Sequence, residues 1–594
     1  MSAARTLVAT VLLAASGSAA WTAPPPPSSS TWWGATEIPG QWQRHVPPSP
    51  ALTVPLPITH DEHVESVSLK DAIALALENN PGIAAQRLEP VRQGEGILRS
   101  QAQYDPIASA EVQESKSITP NASSLSGTRT LNIDDRFANF HLFKTFRTST
   151  SANLDFLNDR LDNNATFQQL RPQYKPVFAL SVVQPLLQNF GWDFSYLVVK
   201  VAEQTAEASF YTYKAQLTDF VELVIEAYWN IVGARENLEV QRESKALADR
   251  TTKENEARVR VGLLPPVAVL EAQADAASRE EQVIIAENTL AVARQQLAQI
   301  AFYRPDGTFV PRTLEPVEEA APEEVTVDLD ETLTNALAER PEIQASAHGV
   351  TAQVLTERIA GNALLPRLDL VGSYGQNGLS GTNRPFARPS TIISQTDLTN
   401  SPQFPGAKCE PLPSGHFLCF INVTNNSQFS GSVGDAYNRL TSTDFYSYSF
   451  GLQFQVPLSN AQARSNLADS RIARDQAELN HRQLLSTVTL QVRQSVADLT
   501  AARQRIDTTR VARELAEENL KNQTKRHEVG MATTKDLLDF QTRLTTARAA
   551  EVQAKIDYAT AIARWRRAKG ELLAHYQVVL DQPGRGSAPW FARF

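Results

Sequence analysis

The sequence predicts an α+β membrane protein. The expected form is a trimeric 12-stranded β-barrel, four strands per chain, continued by a long α-helical coiled-coil tunnel and built on an internal two-fold repeat. Three observations predict it: two very long proline-free helical stretches, one segment of strict apolar alternation, and a chain that repeats itself.

The helices set the scale. No proline interrupts the chain from about Asp193 to Arg260 or from about Ala461 to Glu528. Each stretch would extend roughly 100 Å at about 1.5 Å per residue. No compact domain is that wide. Apolar positions within them are sparse, as in Val492, Val496, Leu499, Ala502 and Ile506. That is a narrow packing seam with polar residues on the other faces, as a wall of helices wetted on both sides requires.

The strands are read from period two. Tyr446, Tyr448, Phe450, Leu452, Phe454 and Val456 alternate with Ser447, Ser449, Gly451, Gln453 and Gln455. A soluble sandwich also alternates, but a lipid-facing strand beside a watery lumen demands alternation over about 9–11 residues. Segments 106–116, 176–187 and 366–376 are weaker versions, and Phe190, Trp192 and Phe194 follow as a candidate interfacial aromatic belt. Four strands cannot close a useful pore, and an open edge is not tolerated in lipid. Three chains would complete the barrel.

The repeat orders the chain. Leu69, Ala76, Leu77, Pro81, Ile83, Ala85, Gln93 and Pro106 recur 260 positions later as Leu329, Ala336, Leu337, Pro341, Ile343, Ala345, Gln353 and Pro366. Val261-Gly262 matches Val529-Gly530, and Pro185-Leu186 matches Pro457-Leu458. The expected units are 66–320 and 325–575, each a helix (71–104 and 331–364), extended segments, a long helix, a Gly turn and a returning helix. Before them stand a secretory signal at 1–20, with Arg5 ahead of an apolar core from Leu7 to Ala15, and a Pro-rich extension at 21–65. A tail covers 576–594. Two stretches interrupt the repeat. One, 117–175, contains a possible hairpin at Phe137–Lys144 and Thr150–Leu157; the other is 377–440. Both are expected as outer-face loops, with the periplasmic side open as an alternative for the first.

Composition narrows the function. Net charge is −9, so the basic field of a nucleic-acid binder is missing. No apolar run reaches the length of a membrane helix, which leaves a β-barrel open. The nine histidines form no His-Glu-x-x-His motif, and neither a nucleophile elbow nor a phosphate loop occurs. No catalytic residue, cofactor or metal site is expected. Cys409 and Cys419 are the only cysteines; in an oxidising compartment they form a disulfide, and two free thiols are the alternative.

Taken together, Leu69-Lys70-Asp71-Ala72 through Asn80-Pro81, the strand-ending Gln184-Pro185-Leu186-Leu187 and Val456-Pro457-Leu458, and the turns Arg258-Val259-Arg260-Val261-Gly262-Leu263-Leu264 and Arg526-His527-Glu528-Val529-Gly530-Met531 resemble the TolC-like outer-membrane efflux proteins. The resemblance covers about 66–575. It implies a homotrimer in outer-membrane lipid, a passive export duct serving a tripartite efflux or type I secretion system. The turn tips Val261, Gly262, Leu263, Val529, Gly530 and Met531 would meet a periplasmic adaptor, and an inner-membrane transporter would drive the cargo. Asp536 and Asp539 lie six and nine residues past Gly530, and Glu271 nine past Gly262. The resemblance implies that they line the periplasmic constriction; an ordinary solvated face is the other reading. Ala532 stands where a basic partner occurs in the family's closing links. A periplasmic coiled-coil scaffold or adaptor without a pore is the alternative function.

Overall fold

The computed structural model describes residues 63–121, 129–165, 168–301, 312–319, 323–384, 386–394, 408–411, 413–414, 416–423, 428–578 and 580. The signal at 1–20, nearly all of the 21–65 extension and most of the tail lie outside the described residues.

The first helical segment is two helices, α1 (Leu69–Asn79) and α2 (Pro81–Gln101). The break falls where proline removes a backbone donor and forces the residue before it out of helical geometry. Asn80 has ψ 116°, and its side chain accepts from the Gly82 and Ile83 amides at 2.9 and 3.1 Å. The same break separates α5 (Leu329–Glu339) from α6 (Pro341–Asn362), where Arg340 has ψ 125°. The expected single helices at 71–104 and 331–364 are corrected accordingly.

The two long helices are α3 (Leu197–Arg260) and α8 (Ala461–Glu528), each returning as α4 (Val267–Ala301) and α9 (Thr534–Lys569). Their main core gathers where α3 is fully buried at Val221, Val224, Ile225, Tyr228, Ile231 and Val232. A parallel pair, β1 (His63–Val67) with β6 (Arg312–Pro316), packs there: the Tyr228 hydroxyl donates to the Val67 carbonyl at 3.2 Å, and Arg235 donates to the Pro316 carbonyl at 2.7 Å. A second cluster joins Leu499 and Ile506 of α8 to Tyr558, Ile562 and Trp565 of α9. Narrow seams suffice for such pairs because each residue needs only one neighbour helix.

The large sheet differs from expectation. Its strands are β2 (Ile107–Pro120), β3 (Thr130–Thr145), β4 (Ser151–Asn163), β5 (Leu170–Pro185), β7 (Arg367–Asn377), β8 (Ser380–Asn383) and β12 (Tyr446–Gln455), in the order β12-β7-β5-β4-β3-β2 with β8 also on β5. Every pairing in it is antiparallel. β8 resumes the line of β7 along β5, so seven strands fill six positions. The expectation of four strands per chain is corrected: the hairpin expected as a loop element, β3–β4, is inside the sheet between β2 and β5. Its length explains why; 16 and 13 residues match their neighbours, and charges that break the alternation made both strands read shorter in the sequence.

The second insert carries a separate sheet, β9 (Phe386–Ser394), β10 (Lys408–Pro411) and β11 (His416–Val423), in the order β10-β11-β9, then a helix α7 (Val433–Thr441) capped by Ser432 and Asp435. Cys409 and Cys419 are direct partners in the β10–β11 register. Their side chains lie outside the described residues.

Candidate channel wall and entrance

The ladder registers define the two faces of the large sheet. One row crosses all six positions as Ala108, Leu142, Leu154, Leu180, Tyr374 and Tyr448. The adjacent row, pointing the other way, is Ser109, His141, Asp155, Ala179, Gly375 and Ser447. Successive residues of a strand face opposite sides, so in this central band one face is apolar and the other mostly small and polar, with Phe143 of β3 and Leu157 of β4 as exceptions. On the polar face His141 Nδ1 lies 2.5 Å from Asp155 Oδ1, and Asn153 donates to Asp155 Oδ2 at 2.8 Å. The apolar face of β12 is solvent-accessible in the single chain, with Phe450 76% exposed. At one margin α7 covers this face: Tyr437 stacks on Phe156 at 6.2 Å and donates to Asn158 Oδ1 at 2.6 Å. Among the described residues no helix is long and apolar enough to cross a membrane.

At the far end the two long hairpins turn by the same device. Gly262 and Gly530 adopt φ +81° and +78°, left-handed values that glycine reaches without steric cost. The Leu263 amide donates to the Arg258 carbonyl at 2.8 Å and the Gly262 amide to Val259 at 3.0 Å; Met531 to Arg526 at 2.8 Å and Gly530 to His527 at 3.1 Å repeat the pattern. This paired closure of helix carbonyls by the two residues past the end is a Schellman motif. It leaves Leu263 and Met531 73% and 70% exposed, beside exposed Val261 and Val529.

The returning helices start differently. α4 follows Pro265 and Pro266, whose missing amides cost nothing at a helix start. α9 starts on a capping box: Asp536 Oδ2 accepts from the Thr533 hydroxyl at 2.7 Å and its amide at 3.0 Å, while Thr533 Oγ1 accepts from the Asp536 amide at 3.2 Å. These bonds, from the side chain first, hold the Asp536 carboxyl below the ordinary aspartate range. The sequence assigned Asp536 only to the entrance; the spacing Thr533-x-x-Asp536 was the available signal for this second role. Asp539 and Glu271 are exposed on α9 and α4. Among the described residues no group of three His, Cys, Asp or Glu side chains could hold a metal ion.

Polar contacts tie the first hairpin to the second near the tips, and the sequence reading missed them. Arg258 Nη1 donates to the His527 carbonyl at 3.3 Å. Asn255, fully buried, donates to the Ala268 carbonyl and to Thr534 Oγ1, both at 3.3 Å. Gln541 donates to Thr251 Oγ1 at 3.0 Å. Higher up, buried Arg279 pairs with Asp275 at 2.6 Å and reaches Ser244 and Thr542. Buried polar groups must find such partners, so these links hold the hairpins in one register without a basic residue at Ala532. His527 is nearly buried; burial, then the Arg258 charge, lowers its pKa.

The comparisons agree with this architecture. The family model described as outer membrane efflux protein matches residues 155–301 and 421–571, half of the chain. No curated sequence matches. The CmeC outer membrane channel of Campylobacter jejuni is 16% identical with a TM-score of 0.53, covering 85% of this chain and 86% of that one. The Vibrio cholerae outer membrane protein VceC is 15% identical with a TM-score of 0.55, covering 84% and 96%. The open-state MtrE outer membrane channel of Neisseria gonorrhoeae is 16% identical with a TM-score of 0.53, covering 85% and 89%. At such identities the structures speak for the fold, and the family match speaks for the function. With an apolar-faced sheet at one end and paired helical hairpins at the other, the chain belongs to the outer membrane efflux protein family and is an outer-membrane efflux channel.

Proposed function

We propose that three copies of the chain form the export duct of a tripartite efflux or type I secretion system. The single observation that carries this is the large sheet. It carries an apolar band across all six positions of one face and ends on β2 and β12, whose outer edges have no strand partner among the described residues. Such edges cannot stand in lipid. Rotation about a threefold axis brings β12 of one chain beside β2 of the next and removes every edge. The recurring α1–α2 and α5–α6 pairs and the two Schellman turns support an origin by duplication, with units near 66–320 and 325–575.

The long hairpins form the periplasmic tunnel and end at the entrance. Asp536, Asp539 and Glu271 line its constriction, where threefold symmetry focuses their potential. Val261, Leu263, Val529 and Met531, set out by Gly262 and Gly530, dock the periplasmic adaptor, and an inner-membrane transporter supplies the cargo. The duct carries no catalytic machinery. A photo-crosslinker at position 263 or 531 in cells should capture one adaptor protein. Reconstituted protein should conduct in planar bilayers. Fractionation as a water-soluble protein without conductance would favour a periplasmic scaffold.

A further inference from the structure

The strand count has a consequence for the pore. We propose that the β3–β4 hairpin is part of the membrane wall, so that the trimer closes an 18-stranded barrel. This rests on the trimeric-duct reading and goes beyond it.

Three observations place the hairpin in the wall. First, it is hydrogen-bonded on both sides, β3 to β2 along the whole length of β2, and β4 to β5 from Ser151 to Leu161. A flap outside the barrel would leave β2 and β5 to pair with each other, and here they do not. Second, the hairpin continues both faces without a register break. Phe140 and Phe156 are partners, and Phe156 in turn opposes Phe178 of β5. On β3 the apolar side runs from Leu142 through Phe140 to Ala138, bounded by Lys144 below and Arg136 above. The eight residue steps from Arg136 to Lys144 span roughly 26 Å at about 3.3 Å per residue, of the order of the ~25 Å apolar band of such barrels. Third, the hairpin turn is seated at the junction with the helices. Ser195 donates to the Arg147 carbonyl, the Arg147 guanidinium lies 4.7 Å over the Tyr196 ring, and Gln184 donates to the Thr148 carbonyl at 3.2 Å. Tyr196 and Ser195 immediately precede α3. The hairpin therefore runs the full height of the sheet, down to the level where strands give way to helices.

Barrel diameter grows roughly linearly with strand number, and barrels of about 16–18 strands leave an aqueous channel. Eighteen strands make a lumen about half again as wide as twelve would. The hairpin lines that added lumen with Asn139, His141, Asn153 and Asp155 beside Phe137, Phe143 and Leu157, so the class of cargo it suits is a bulky solute with both polar and apolar surface.

The test places single cysteines in a Cys409→Ser, Cys419→Ser background of the full chain in outer membranes. Phe140→Cys, Leu142→Cys and Leu154→Cys should resist a water-soluble maleimide, while Asn139→Cys, His141→Cys and Asn153→Cys should label. Phe450→Cys and Ser449→Cys on β12 serve as the internal control. Alternation on β12 with uniform labelling on β3 and β4 would overturn this proposal and leave the duct standing. Loss of alternation on β12 as well would overturn the duct reading itself. Electron microscopy of the unmodified trimer in lipid nanodiscs should count 18 strands; a count of 12 would overturn the proposal without any substitution.

Discussion

Arg258 donates from Nη1 to the backbone carbonyl of His527 at 3.3 Å, so the end of the first long helix closes the end of the second. The same guanidinium lies 3.5 Å from His527 Nδ1. Protonating this nearly buried imidazole would set two positive charges together, with Glu254 and Glu528 offsetting only part of the cost. The folded pKa is lowered, so the neutral ring's contribution to tip stability is complete above the ordinary histidine value of about 6.5 and is lost as pH falls through the lowered folded value. Hydrogen exchange of amides 526–534, corrected for intrinsic rates, should therefore quicken between neutral pH and pH 5. His527→Gln should flatten that dependence. An equal pH response in the variant would assign the effect elsewhere.

Gly530 holds φ +78° with open space where a Cβ would stand. The cost of Gly530→Ala is then conformational, roughly 1–2 kcal/mol for a left-handed non-glycine residue. Local opening at the tip should rise about tenfold or more by hydrogen exchange while the assembly persists. An unchanged opening rate would show that the turn relaxes into another geometry.

The acidic entrance is tested by Asp539→Asn combined with Glu271→Gln. Both side chains are exposed, so folding should be unaffected. Cation preference in planar bilayers should fall, and block by divalent ions should weaken. Unchanged selectivity and block would make these carboxylates an ordinary solvated face. Asp536 is kept out of this variant because its bonds to Thr533 start α9.

Cys409 and Cys419 stand directly opposite each other in an antiparallel ladder. Opposed residues there have Cα atoms about 4.5–5.5 Å apart, within the span a disulfide bridges. Intact protein should resist thiol reagents until reduced. Ready labelling of both cysteines without reductant would refute the bridge.

The helices were legible because their signals are local. Proline-free length marked α3 and α8, and the Val-Gly pairs marked both turns. The resemblance in the turns and strand ends pointed to the family that the comparison then gave. The strand count was not legible for a physical reason. β3 and β4 carry Lys144, Arg136, Asp134 and Arg160 on the same side as Phe140 and Phe156, so each strand's apolar run is short and only its neighbours show which side faces lipid. The tip links were hidden differently: Asn255 and Gln541 look like solvated helix residues until the partner hairpin supplies Thr534 and Thr251. Pairing across several hundred residues is what one-dimensional periodicity cannot carry.

The central claim is that three chains close one channel wall, because β2 and β12 each leave an edge that lipid cannot satisfy. Mass measurement of the folded protein extracted from outer membranes in mild detergent tests it most directly. The account predicts a single species of three chains that dissociates only on heating. A stable, folded monomer would contradict it.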